Sequence, residues 1–543
     1  MIQNPILPGF NPDPSICRVD DNYYIATSTF EWYPGVQIHH SKDLVNWELA
    51  IRPLNRASQL DMRGNPDSGG IWAPCLSYSD GLFWLVYTDM KRHDGDFKDA
   101  HNYIVTAPAI EGPWSDPVYV NSSGFDPSLF HDDDGRKWFL NMVWDHRGDS
   151  DTSHPAHPAF DGILLQEFDA AAGRLTGPVK NIFKGSELGI SEAPHLYQRN
   201  GWYYLTVAEG GTGYEHAVTM ARSRSIDGEY ELHPGPYLIT AKDDPDNKLQ
   251  RTGHGQIVET PDGQTYHTFL CSRPIPGLPE NRSPLGRESG IEKCVWGDDD
   301  WLYLEHGGTL ARESVPAPDS ATKKIVEEYP KHIFSDSLPA EFQWLRTPYP
   351  ERLFELTGSS LRLFARESVG SWFEQSLVAR RQEHPAFTAR TEVSFAPVNY
   401  QQSAGLIYYY NRHKFHYIGI TWHETLGRVL VVMSCNGDWP DSSLSFPAID
   451  TISVGDSVEL SMQVDHADMN FCYRRDGEDD DWQTIPCKLD ASIISDEAGR
   501  GEHASFTGAF VGMAAFDITG GALPADFNYF HYAPGEGVVK VQS

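Results

Sequence analysis

Residues 124–140 read GFDPSLFHDDDGRKWFL: a Gly-Phe pair, an Asp-Pro-Ser, two apolar residues, an acidic turn closing on Gly135, then an aromatic strand. The same order stands at 9–26, GFNPDPSICRVDDNYYIA, and its turn-plus-strand half returns as SDGLFWLVYT from Ser79, RNGWYYLTVA from Arg199 and PDGQTYHTFL from Pro261. Gly and Asn accept the positive φ of a hairpin turn, and the alternation that follows each turn reads as a strand. Taking Asn22, Gly81, Gly135, Gly201 and Gly263 as turn marks, the intervals are 59, 54, 66 and 62 residues. That spacing holds four short strands and their loops, and repetition at such a period marks an array or propeller. An outer strand is expected at SKDLVNWE from Ser41, APAIEGPWS from Ala107 and SRSIDGEYE from Ser223, with no clear copy in the third unit. The fold predicted is all-β, a five-bladed β-propeller, which leaves few exposed edges. A pair of β-sandwiches is the alternative, but it gives no reason for the repeat.

The rest of the chain supports an all-β reading. With 543 residues, two or three domains are expected, and 47 glycines, 37 prolines and 12% aromatics suit short strands joined by tight turns. A formal charge of −33 argues against nucleic acid or an anionic membrane as partner, because phosphate binding needs basic patches. Seven scattered cysteines without metal-ligand spacing predict free thiols. MIQNPILPGF has no charged n-region or long apolar core, and no run elsewhere reaches a membrane span, so a cytoplasmic protein is expected.

Counting nine residues back from each turn mark gives Asp13, Trp72, Asp126, Glu192 and His254. Equivalent positions in five blades lie at similar height around the axis, so three carboxylates, an indole and an imidazole are expected at one mouth of the channel. Taken singly, most have a plain structural reading: Asp before Pro-Ser is a turn former, Trp72 is core and His254 is a satisfied buried histidine. Glu192 is harder to explain that way, since Glu is disfavoured in strands and seldom buried unpaired. Three acids in one channel repel one another unless chemistry requires them. Two carboxyl groups with pKa values pushed apart are the machinery of glycoside hydrolysis, one protonating the leaving oxygen and the other activating water or attacking the sugar. Trp72 and Phe30 offer faces for the C–H side of a pyranose, and Arg287 can bond its hydroxyls.

NPILPGFNPDPSI, YYIATSTFEWYPGVQIHHSKDLVNW, SGGIWAP, GFDPSLFHDDDG, EAPHLY, GHGQIVET and PLGRE together resemble the family 43 glycoside hydrolases, in particular the two-domain β-xylosidases. The resemblance implies a five-bladed propeller and inversion at the anomeric carbon. It implies Asp13 as general base, Glu192 as general acid, and Asp126 as the carboxylate that raises and positions Glu192. Phe30, Trp72 and Arg287 match positions that shape the terminal sugar pocket. His254 matches a channel histidine that approaches a bound calcium or water, so no cofactor is required but calcium in the channel is allowed. One departure is Ser191-Glu192-Ala193-Pro194-His195, where relatives often have Thr-Glu-Gly-Pro-His.

The domains expected are a propeller over 1–312, a linker at 313–333 without a packed role, and a β-sandwich, concanavalin-like and packing on the propeller, over 334–543. Alternating segments from Phe387, Ser403 and Arg428, with turns at Asn436-Gly437 and Asp476-Gly477, carry the sandwich reading. The resemblance also implies that the sandwich lends the pocket an aromatic loop residue, from the segment 506–530. The activity expected is exo-hydrolysis of small β-1,4-xylooligosaccharides by a homo-oligomer, dimer or tetramer, with side activity on α-L-arabinofuranosides. The alternatives are a mainly α-L-arabinofuranosidase enzyme and, from another class, a glycan-binding protein without turnover. A retaining fructosidase would carry Asn-Asp-Pro-Asn-Gly, which this chain lacks.

Overall fold

Five antiparallel sheets, each with its strands in chain order, make up the first three hundred residues of the computed structural model, which describes residues 1–148, 157–437, 443–475, 481–499 and 505–535. The innermost strands are Ser15–Val19, Gly70–Ser79, Ser128–His131, Glu192–Arg199, and a fifth broken at His254 into Gln250–Gly253 and Ile257–Glu259. Each pairs with the aromatic strand that the repeat predicted: Asn22–Thr27, Leu82–Arg92, Lys137–Trp144, Trp202–Glu209 and Thr265–Ser272. Four of the turn marks, Gly81, Gly135, Gly201 and Gly263, have φ of 71–86°. In the first blade the left-handed residue is Asp20 (φ 53°), two before Asn22.

The blades are five and form a propeller. Apolar residues of adjacent blades interdigitate: one cluster joins Met90, Phe125, Leu140, Met142, Leu196 and Leu205 across the second, third and fourth blades. Side chains of the inner strands stitch one blade to the next. The Ser15 hydroxyl accepts from Leu76 N–H (2.9 Å), the Ser128 hydroxyl donates to Pro194 O (2.5 Å), and Ile257 N–H donates to the Tyr197 hydroxyl (3.0 Å). Thr268 returns to Pro14 O at 3.1 Å.

The ring is closed by the N-terminal residues lying against the last blade. Ile2–Gln3 pairs with Ser314–Val315, Leu7 bridges to Ser289, and half-buried Asn4 bonds across to the last blade. The Asn4 Nδ2 donates to Ile291 O and Arg312 O, both at 2.8 Å, while its Oδ1 accepts from Ile291 N–H at 2.9 Å. Residues 313–333, expected as an unpacked linker, are therefore tied down in their first half: Val315 is fully buried, and the Thr322 hydroxyl donates to Asp43 Oδ2 at 2.5 Å.

The segments expected as outer strands are instead the turns that precede them, and the outer strands are Glu48–Ile51, Val118–Asn121 and Glu231–Leu232. Small polar side chains cap these turns: the Ser41 hydroxyl accepts from Leu44 N–H (3.0 Å), and Asp43 Oδ1 accepts from the N–H groups of Val45 and Asn46 (2.9 and 2.8 Å). The aromatic that made each copy recognisable bonds back across the turn, Trp47 to Leu44 O, Trp114 to Ile110 O and Tyr230 to Ile226 O. The third blade has its own turn at Asp169–Gly173, where Asp169 caps Ala172 N–H (2.9 Å), followed by the outer strand Arg174–Phe183.

By contacts the chain divides into two units: Met1–Leu60, Gly69–Arg273 and Arg287–Ile325 form the first, and Asp61–Ser68, Pro274–Gly286 and Val326–Ser543 the second. The second unit is a sandwich of two antiparallel sheets. One runs in order through Leu444–Ser453, Gly427–Asn436, Lys414–His423, Gln402–Asn411, Phe510–Asp517, Ser376–Arg381 and Gln343–Leu345. The other runs through Phe354–Leu356, Leu361–Phe364, Pro524–Pro534, Ala386–Phe395, Ser457–Asp465, Asp468–Arg475 and Gln483–Thr484. The 61–68 segment joins this unit through arginines: Arg346 donates to Asn65 O and Asp67 (both 2.8 Å), and Arg412 to Asp67 (3.0 Å). Asn436 ends its strand as expected, while the turn predicted at Asp476 lies outside the described residues. In the 506–530 segment, Phe510, Phe516, Phe527 and Phe530 are buried strand residues, and Phe506 precedes the strands, half-buried. All seven cysteines are free.

Candidate active site

Each innermost strand has a residue with left-handed backbone in it or within three residues of it: Asp13 (φ 58°), Ala73 (38°), Asp126 (53°), Ala193 (48°) and His254 (40°). Proline follows in four of the five, at 14, 74, 127 and 194. Outside glycine such conformations are uncommon, and their recurrence at one end of every blade marks a site where the surrounding structure holds the backbone against its preference. The turn marks stand at different places in turns of different length. An offset of nine therefore lands on the left-handed residue in the first, third and fifth blades, and one residue before it, on Trp72 and Glu192, in the second and fourth. Those two are strand residues, paired with Thr88 and Ala208, and each is followed by a bulge, the device by which a strand re-aims a side chain.

The repeated Gly-Phe has a structural reason. A Cβ on Gly124 would lie 1.9 Å from Met142 O, so only glycine lets the chain pass there. The phenylalanine after it packs edge-on against Trp72 (centroids 5.5 Å apart), and Phe10, its counterpart in the first blade, lies 5.5 Å from Phe30. Phe30 and Trp72 are 5.7 Å apart, and the loop carrying Phe30 is joined to the second blade by paired backbone bonds between Phe30 and Ile71 (3.0 and 3.1 Å). The Arg287 guanidinium lies over the Phe30 ring at 5.4 Å. An aromatic wall with one cation on it results.

Asp13, 4% exposed, accepts the Ser28 hydroxyl at Oδ2 (2.6 Å) and Arg287 Nη1 at Oδ1 (3.1 Å), with His254 Nδ1 3.6 Å away. Arg287 Nη1 is steadied by the Thr212 hydroxyl at 3.0 Å, and the Ser28 hydroxyl is itself oriented by Ala73 N–H at 2.8 Å. Burial pushes the Asp13 carboxyl up. The charges of Arg287 and His254, the Ser28 bond and His216 outweigh it, and Asp13 ends below its ordinary value. Burial holds His254 below its own ordinary value, against the pull of Asp13, so the neutral imidazole prevails near pH 7 and Arg287 is the effective charge partner.

The other two carboxyl groups move the opposite way. Burial and then the charge of Asp13 raise Glu192 to about 8, with Arg287 and Lys98 opposing. Burial, then Glu192 and Asp13, push Asp126 well above the carboxylate range, although Arg287 and the Ala193 N–H donated to it oppose the rise. The charge that raises Glu192 is that of Asp13, and the charges of Glu192 and Asp13 in turn raise Asp126. Asp13, Asp126 and Glu192 interact electrostatically, Asp13 meets Arg287 and His254, Arg287 lies over Phe30, and Phe30 lies against Trp72. All seven residues singled out in the sequence are brought into one neighbourhood.

Residues 2–302 match the model of glycosyl hydrolases family 43, and residues 333–533 that of the beta-xylosidase C-terminal concanavalin A-like domain. The chain belongs to glycosyl hydrolase family 43. Among family 43 relatives, it is 56% identical over 538 residues to "Xylosidase/arabinosidase 43B" of Humicola insolens, covering 98% of both chains. It is 48% identical over 544 residues to "Beta-xylosidase" of Bacillus subtilis, covering 98% of this chain and 99% of that one. The crystal structure of the xylan beta-1,4-xylosidase from Bacillus halodurans C-125 superposes with a TM-score of 0.93 at 48% identity, over 98% of this chain and all of that one.

Among the described residues no group of three or more His, Cys, Asp or Glu could hold a metal ion. His195, His254 and His267 are buried and interact with one another, and they offer nitrogen where calcium takes six to eight oxygens. Sequence reasoning missed Ser28, Thr212, His216 and Lys98, which act on the site from loops. Their common signal is proximity in space, which one sequence does not display.

Proposed function

We propose that this protein is an exo-acting, inverting β-xylosidase that removes single xylose units from the non-reducing end of small β-1,4-xylooligosaccharides. The observation that carries the reading is the separation of the carboxyl groups: Asp13 is held down beside Arg287 while Glu192 is raised to about 8. At neutral pH this pair supplies one base and one acid. Asp13 takes a proton from water as the water oxygen bonds to the anomeric carbon. The glycosidic C–O bond breaks, and the Glu192 carboxyl gives its proton to the leaving oxygen. The site then holds protonated Asp13 and ionised Glu192, and exchange with solvent restores both. Asp126, pushed well above the carboxylate range, favours its protonated form and so limits the negative charge beside the Glu192 carboxylate formed in the step. Trp72, Phe30 and Arg287 receive the terminal sugar, ring face on the aromatics and hydroxyls toward the guanidinium. The names of the xylosidase relatives support xylose as the sugar.

A mainly α-L-arabinofuranosidase activity is the second reading, favoured by the double name of the Humicola insolens relative. Rates on 4-nitrophenyl β-D-xyloside and 4-nitrophenyl α-L-arabinofuranoside, measured side by side, test it, with proton NMR of xylobiose hydrolysis reporting the first anomer formed. Faster xyloside turnover with α-xylose appearing first is expected. A preference for the arabinofuranoside reverses the ranking, and β-xylose first refutes inversion.

A further inference from the structure

Glu209 is wholly buried and plays no part in the chemistry above. Its carboxylate is filled by four donors: Ser186 N–H (2.8 Å) and the Ser191 hydroxyl (2.7 Å) at Oε1, and the hydroxyls of Ser186 (2.5 Å) and Thr219 (2.6 Å) at Oε2. A carboxylate out of water is tolerated only when its lone pairs are satisfied in this way. Three of the four donors come from the segment 186–191, which leads directly into Glu192. That segment has no regular secondary structure and contains the left-handed residues Gly189 (φ 71°) and Ile190 (φ 53°), the second β-branched and disfavoured there. A Cβ on neighbouring Gly185 would lie 2.6 Å from the Ser191 hydroxyl and 3.2 Å from Glu209 Oε1, so the chain folds tightly around the carboxylate. Across the sheet, Ala208, the residue before Glu209, is the register partner of Glu192. One buried side chain thus fixes both the residue that precedes Glu192 and the strand that faces it.

We propose that Glu209 is a positioning residue for Glu192: through Ser191 and Ser186 it sets where the acidic carboxyl stands relative to the leaving oxygen, without touching substrate. The proposal rests on the reading of Glu192 as general acid. A displaced acid matters most when the departing oxygen needs its proton, as the sugar alkoxide of xylobiose does, and least for a 2,4-dinitrophenolate, which leaves unprotonated. A residue that merely stabilised the fold would lower both rates together.

The test compares kcat/KM for xylobiose and for 2,4-dinitrophenyl β-D-xyloside in Glu209→Ala, Glu209→Gln and Ser191→Ala, with Glu192→Ala as reference. Displacing a catalytic group by about 1 Å costs on the order of 10²-fold, the loss expected for Glu209→Ala on xylobiose, against less than about tenfold on the aryl xyloside. Ser191→Ala, which removes one donor and keeps the buried charge partnered, shows the same split at about tenfold and covers the case in which Glu209→Ala does not fold. Glu209→Gln restores part of the xylobiose rate. If Glu192→Ala splits the substrates while the other variants lose both rates equally or neither, Glu209 is not a positioning residue and the acid assignment stands. If Glu192→Ala itself fails to split them, the acid assignment falls and this proposal with it.

Discussion

Replacing Ser28 by Ala removes the shortest hydrogen bond to Asp13, 2.6 Å to Oδ2, and leaves Arg287 on the other oxygen. The hydroxyl favours the ionised carboxyl, so its loss makes Asp13 easier to protonate. A hydrogen bond to a charged group is worth about 1.5–3 kcal/mol, and one pH unit corresponds to about 1.36 kcal/mol, so the acid limb of the rate profile should rise by about one to two pH units. The direction follows from the sign: a base held low works down to low pH, and weakening that hold moves the loss of activity upward. The alkaline limb, set by deprotonation of Glu192 near 8, should stay in place, since Ser28 is not among the groups that shift that carboxyl. Measuring kcat/KM for 4-nitrophenyl β-D-xyloside from pH 3 to 10 reads both limbs of the free enzyme. An acid limb that does not move, or an alkaline limb that moves with it, would refute the assignment of Asp13 as the group whose ionisation the site protects. Ala73 N–H also loses its acceptor in this variant, so a modest fall in thermal stability accompanies the change at every pH.

Two further outcomes concern stability. Glu192 is raised in the folded protein, so the native state binds its proton more tightly than the unfolded chain does; stability from this group is present at acid pH and is lost as pH climbs from the ordinary Glu range to about 8. Glu192→Gln should therefore melt progressively higher than the parent as pH rises from 5 to 8.5, and a constant difference in Tm over that range would contradict the shift. Asn4→Ala breaks three half-buried hydrogen bonds that hold the N-terminal segment on the last blade, at a cost of about 2–4 kcal/mol in denaturant unfolding of the propeller; an unchanged midpoint would mean these bonds contribute nothing.

The repeat was legible because its carriers are local: a left-handed turn residue and a run of alternating aromatics are written in consecutive positions. The site was legible because the distance from turn to strand start is short and nearly constant. Near-constancy also misled, since the equal offset joined Asp13, Asp126 and His254, which share a backbone conformation, to Trp72 and Glu192, which precede it. The outer strands were misread because a capped turn with a back-bonded aromatic, as at Ser41–Trp47, stands out in sequence more than the short exposed strand after it. Ser28, Thr212 and Lys98 could not be found this way. Ser28 reaches Asp13 from the loop behind the second strand, Thr212 meets Arg287 from another blade, and Lys98 acts on Glu192 from a rim loop. The settled state of 313–325 was hidden for a related reason, because its partners, Ile2, Gln3 and Asp43, lie nearly three hundred residues upstream.

That closure bears on how the molecule is made. While the ribosome is still adding the fourth blade, Ile2, Gln3 and Asn4 have no surface to lie on, and the first blade presents an open flank. Only when residues up to about 315 have emerged can the two ends meet, so the circle is completed late and all at once, at the entropic cost of joining distant parts of the chain. New termini placed at an exposed turn such as Asp133–Gly135, with the old ends linked, would move Ile2 behind residues 326–543 and delay this seam until the second unit has been made.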